Sequence, residues 1–136
     1  FSMRCLLALL LTVPFVLTVG CSSTGVPTVT ADETMNGSRV SLRVGAVLTV
    51  KLPENPSTGY RWVRTGETGA TLLTELDDTF DRSPAKDGAV GVGGTRVLRY
   101  RAERIGDSTL QLDLVPPGRS PGPEDERYRI TVVIAD

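Results

Sequence analysis

Ser57 and Thr58 are hydroxyl nucleophiles only if a base stands beside them, and the chain of 136 residues contains no histidine. Activation would fall to a terminal amine or to Lys51 or Lys86, which are all the lysines there are. Acids are paired at Asp77 and Asp78 and again from Glu124 to Glu126. Adjacent acids on a strand face opposite ways and an acidic run in a loop is solvated, so neither group is expected to hold calcium or to share a proton in catalysis. Asp81, Lys86 and Asp87 would make an enzyme only by gathering around one deep pocket, and no such centre is expected. The glycine-bearing segment from Gly88 to Thr95 lacks the lysine of a nucleotide-binding loop and feeds a strand, so no helix N-terminus awaits a phosphate. Zinc loses its commonest ligand with the missing histidine, and both cysteines, Cys5 and Cys21, lie close to the start of the chain. No metal and no cofactor are expected.

Charge narrows the partners further. Fifteen basic against sixteen acidic residues give a net charge of −1, which provides no electrostatic footprint for nucleic acid. An apolar fraction of 40% suits one globular domain. One segment stands apart: Asn55-Pro56-Ser57-Thr58-Gly59-Tyr60-Arg61-Trp62. Asn and Pro set a turn, Gly permits positive φ, and two short hydroxyl residues are left at the tip.

The elements that must hold this turn alternate with period two. Val40 and Leu42, then Ala46, Leu48, Val50 and Leu52, alternate with polar or smaller neighbours and read as strands. Tyr60, Trp62 and Arg64 share a face of the next strand, with the two aromatics expected to point into the core. Leu72, Leu73, Leu76 and Phe80 suit a strand or a short helix, the run being too brief for periodicity to decide, and strand is the favoured reading. Ser83 to Gly94 reads as a long loop of the kind usually reserved for function. Leu98, Tyr100 and Ala102, a turn at Ile105-Gly106-Asp107, and Leu110, Leu112 and Leu114 read as a hairpin. A second long loop, Pro116 to Asp125, precedes a closing strand with Tyr128, Ile130, Val132 and Ile134 on one face. About seven short strands and no long helix predict an all-β protein, an immunoglobulin-like antiparallel β-sandwich over 38–136. A small closed barrel is the alternative.

Ahead of this domain, Met3-Arg4 and the uncharged run Leu6 to Val19 read as a signal peptide over 1–20, too short to span a bilayer. Phe1 and Ser2 precede the expected start at Met3 and are set aside as an artefact. Leu17-Thr18-Val19-Gly20-Cys21 resembles a bacterial lipobox, which implies a diacylglyceryl group on Cys21 and a place in the cell envelope, facing outside the cytoplasm. Residues 21–37, rich in Ser, Thr, Gly and Pro, are expected to be a flexible tether. The sequon at Asn36-Gly37-Ser38 carries no weight behind a bacterial signal.

Asn55 to Tyr60 matches in full the Asn-Pro-(Thr or Ser)-Thr-Gly-(Phe or Tyr) signature of the chagasin-like cysteine-protease inhibitors, and Gly91-Val92-Gly93-Gly94 matches their Gly-x-Gly-Gly loop. Their third motif, Arg-Pro-aromatic, is replaced by Val115-Pro116-Pro117-Gly118-Arg119, which keeps only Pro116. From about Arg39 onward the chain therefore resembles this family. The resemblance implies a monomeric, non-enzymatic sandwich whose three loops enter the active-site cleft of a papain-like cysteine protease. Asn55, Pro56, Ser57, Thr58 and Gly59 would be the central loop, flanked by backbone contacts from Gly91, Val92, Gly93 and Gly94 and by Pro116 and Pro117. Interface aromatics are often worth ~2 kcal/mol, about thirtyfold in affinity, so losing one implies weaker inhibition or another target. A different reading of the same fold is a non-inhibitory envelope binding module that uses the proline-rich loop.

Overall fold

A computed structural model describes residues 20, 25–68, 72–82 and 93–136. Residues 1–19 of the signal segment, Cys21, Lys86, Asp87, Gly91 and Val92 lie outside the described residues. Eight strands occur among those described: β1 (Thr28–Asp32), β2 (Arg39–Arg43), β3 (Val47–Glu54), β4 (Arg61–Thr68), β5 (Leu73–Arg82), β6 (Gly94–Ala102), β7 (Gly106–Val115) and β8 (Glu126–Ala135). They form two four-stranded sheets, ordered β1-β3-β6-β5 and β2-β8-β7-β4. The sheets face each other as a sandwich, and the closed barrel is excluded.

The interior is the set of alternating positions. Leu48, Val50, Leu52, Leu98 and Tyr100 of one sheet meet Leu110, Leu112, Tyr128, Ile130 and Val132 of the other, all of them buried. Full burial of each aliphatic side chain contributes roughly 1.5–3 kcal/mol, which is how a domain of this size holds together without a disulfide.

Four expectations need correction. The sheets are mixed, because β1 runs parallel to β3 and β2 parallel to β8. The stretch read as a tether contains β1, so the described residues hold eight strands where about seven were expected, the first starting at Thr28. Two small inward residues are enough for an edge strand: Ala31 is fully buried, Val29 packs on the core, and pairing with β3 supplies the hydrogen bonds. Asn36 fastens the following turn, donating to the Arg127 carbonyl at 3.0 Å and accepting from the Arg129 N–H at 2.9 Å.

The β6 and β7 segments do not form a hairpin. β6 pairs with β3 and β5, and β7 pairs with β4 and β8, so the chain crosses between sheets at 103–105. Period two identifies an inward face but not a partner, and these two apolar faces meet across the core. Finally, Tyr60 is not core. Trp62 is buried, whereas Tyr60 precedes β4 and stays 42% exposed, because it still belongs to the turn. Leu72 to Phe80 does yield a strand, β5, in which Leu76 sits at a bulge between Glu75 and Asp77 and is exposed.

Candidate functional site

Strand register brings three connections to one end of the sandwich. In the first sheet Gly94 stands opposite both Glu54 and Arg82. In the second, Arg61 stands opposite Val115 and Leu114 opposite Glu126. The β3–β4, β5–β6 and β7–β8 connections therefore leave from the same pole, and the first bridges the two sheets. Their contacts are direct. A Cβ added at Gly93 would lie 3.7 Å from the Asn55 Cβ, and one at Gly59 would lie 2.9 Å from the Pro117 Cγ. Between them runs a groove of about 570 Å³ lined by Asn55, Thr58, Tyr60, Gly93 and Leu114 among others.

The β3–β4 turn is ordered by its own side chains. Asn55 caps a single 3-10 turn, Pro56–Thr58: its Oδ1 accepts from the Ser57 N–H at 3.1 Å and the Ser57 hydroxyl at 2.7 Å. The Thr58 hydroxyl donates to the Asn55 carbonyl at 2.7 Å. Gly59 closes the turn at φ +77°, a left-handed conformation that other residues adopt only at a cost, and its missing side chain admits Pro117. Both hydroxyls are thus committed to turn geometry. The turn is a shaped surface.

Beneath it lies an ion cluster that the sequence reading missed. Glu54 and Arg96, with side chains only 2% and 9% exposed, meet at 2.7 Å. Glu54 Oε2 also accepts from Arg96 Nε at 3.2 Å and from the Trp62 N–H at 3.1 Å, while the Trp62 indole N–H donates to the Pro53 carbonyl at 2.9 Å. Asp78 takes the third arm of the guanidinium at 3.0 Å, and Phe80 lies under it. Burial disfavours the Arg96 charge, but Glu54 and Asp78 outweigh it and hold its pKa above the ordinary value. The residues on either side of the turn are therefore tied to one buried charge network. The signal was present in the sequence, since Glu54 continues the inward series Leu48, Val50, Leu52, and Arg96 begins the inward series Leu98, Tyr100, Ala102.

Gly94 stands where no side chain fits: a Cβ there would meet the Asp81 carbonyl at 2.2 Å. The third loop is braced internally. Arg119 binds Glu124 at 2.7 Å and also Asp125, and the Gly122 N–H donates to Asp125 at 2.7 Å. That N–H first, and Arg119 with it, keep the Asp125 carboxyl below its usual range. The acidic run is not simply solvated, then, and Arg119 is spent within its own loop. Pro117 is the member that touches the central turn.

Among the described residues no three His, Cys, Asp or Glu side chains gather to hold a metal ion. Asp77 and Asp78 do face opposite ways, to Arg99 and Arg96 respectively.

Residues 41–132 match the family described as Chagasin family peptidase inhibitor I42. Chagasin from Trypanosoma cruzi is 26% identical over 99 residues, which cover 70% of this chain and 87% of chagasin. The cysteine protease inhibitor EhICP2 from Entamoeba histolytica has a similar fold, with a TM-score of 0.71 and 21% identity over 81% of this chain and 97% of that one. PbICP-C, solved in complex with falcipain-2, gives a TM-score of 0.52 and 19% identity over 80% of this chain and 99% of that one. The match spans most of the sandwich and includes the Asn55 turn, Gly93, Gly94 and Pro116: this chain belongs to the chagasin family of peptidase inhibitors.

Proposed function

We propose that the chain inhibits papain-like cysteine proteases by pushing the pole formed by Asn55–Gly59, Gly93–Gly94 and Pro116–Pro117 into the active-site cleft. The observation that carries this reading is the close approach of Gly59 to Pro117 and of Gly93 to Asn55, which gathers loops distant in sequence into one pre-ordered surface. Pre-ordering lowers the entropy cost of docking, and such inhibition needs no chemistry from the inhibitor. The falcipain-2 complex of PbICP-C supports the target class.

We further infer that the protein acts as a monomer anchored through a lipid on Cys21 in the cell envelope. The lipobox-like run ending at Cys21 supports this. So does the course of β1: it runs parallel to β3 and starts opposite Val47, at the pole away from the three loops. A tether entering there leaves the loops pointing away from the membrane. Loss of the protein from the membrane fraction on Cys21→Ala tests the anchor.

Titration of papain with the unmodified protein and with Thr58→Arg tests inhibition. The unmodified protein is expected to inhibit at micromolar concentration or below, and the added bulk at the tip of the turn to abolish the effect. No inhibition by the unmodified chain, or equal inhibition by both, would refute the reading.

A further inference from the structure

Two arginines from opposite sheets share a second groove beside the central turn. Arg61 opens β4 and Arg82 closes β5, and both line a cleft of about 350 Å³ whose wall is Pro56 and Gly59 and whose sides include Tyr60 and Phe80. Both are exposed, and neither has an ion-pair partner among the described residues. Arg96, Arg99, Arg101, Arg119 and Arg127 each bind a carboxylate. The acid that lines this cleft, Glu54, is already committed to Arg96 and the Trp62 N–H. Among the described residues that line it, the cleft thus presents two unpaired cations and aromatic surface, with Glu54 as its acid and that acid already taken.

We propose that this cleft docks an aspartate or glutamate side chain on the rim of the protease cleft that the loops enter, so that Arg61 and Arg82 select among proteases. The proposal rests on the inhibitory reading above. A guanidinium takes a carboxylate through two parallel hydrogen bonds, and aromatic walls shield that pair from water. Complementary charge at a rim speeds encounter and penalises the wrong partner. The central turn occludes the cleft, and the arginine pair determines which cleft is occluded.

The test titrates the full chain and its Arg61→Ser/Arg82→Ser variant against papain-like proteases with acidic, neutral and basic cleft rims, at low and at high salt. Inhibition of acid-rimmed members is expected to weaken about tenfold or more, mainly through slower association with a smaller salt dependence. The other members should change by less than about twofold, and Arg61→Lys/Arg82→Lys should recover most of the association rate. The melting temperature of each variant separates lost contact from lost fold. Equal inhibition of every member by the parent and the serine variant, at both salts, would overturn the cleft and leave the inhibitory reading standing. Absence of inhibition by the unmodified chain across the panel would overturn both.

Discussion

Glu54 and Arg96 meet in the core directly beneath the Asn55 turn, their charged groups 2.7 Å apart and almost wholly removed from water. A buried pair is expensive to desolvate, and apolar substitutes of similar volume often match its stability. Its value here lies in position. One carboxylate holds both Arg96 of β6 and the N–H of Trp62, which fixes the angle at which the turn leaves one sheet and enters the other.

Glu54→Leu alone strands the Arg96 charge with only Asp78, and is expected to cost about 3 kcal/mol or more in urea unfolding. Glu54→Leu with Arg96→Met removes both charges and should recover at least half of that loss. The double variant should still inhibit more weakly than the parent, because the Trp62 N–H has lost its acceptor. Recovery of inhibition together with stability would show that the pair does not set the turn.

Gly59 and Pro117 give a second test. At φ +77° a side chain is strained, and here it would also strike the Pro117 ring. Gly59→Ala is expected to cost roughly 1–3 kcal/mol and to weaken inhibition as the two loops separate. Pro117→Gly opens the space, so the double variant should lose less than the sum of the single changes. Strict additivity in chemical denaturation would mean that the two loops do not support each other.

The inner faces were legible because period two survives in most strands that pack on the core, the bulged β5 excepted: Leu48 to Leu52 and Tyr128 to Ile134 needed no tertiary information. Which strands pair was not legible, since β6 and β7 carry the same pattern whether they lie side by side or face to face. Tyr60 was misplaced for a local reason. Alternation was extended back from Trp62 across a residue whose backbone still belongs to the turn. Of the candidate site, Asn55 to Gly59 was readable from turn chemistry, whereas the Glu54–Arg96 support hid in two charged residues at inward positions. The bracing of the third loop, where Arg119 is held by Glu124 and Asp125, was not legible because the spacing of one arginine and two acids in a loop does not fix their geometry.

Stability should fall at high pH. Burial, with Asp32 and Glu33 nearby, pushes the Tyr128 phenol up to about 12, and its hydroxyl donates to the Asp32 carbonyl at 2.8 Å. Burial first, then the charge of Glu75, also raises Tyr100. An unfolded tyrosine ionises near pH 10, so above that value the unfolded chain releases protons that the native state retains. The contribution is complete below about pH 10 and is lost as pH rises toward the native values. Urea midpoints should therefore be flat from pH 8 to 9.5 and drop by pH 11. Tyr128→Phe should reduce the drop, and an unchanged slope in that variant would assign it elsewhere.

The last prediction concerns β1, whose composition resembles a linker although Ala31 is buried without residual exposure and Val29 packs on the core. Deleting residues through Asp32 removes the parallel ladder along β3 from Val47 to Lys51 and the acceptor of the Tyr128 hydroxyl. It also exposes the edge of β3, with Val50 and Leu48 at its inner face, as a template for pairing between chains. A true tether could be cut there without consequence. The truncated chain should instead melt at least several degrees lower and aggregate on heating, whereas a chain that begins at Gly25 should match the parent in both respects. Because β3 carries Glu54 and the central turn, inhibition should weaken in the shorter chain even at temperatures where it remains folded.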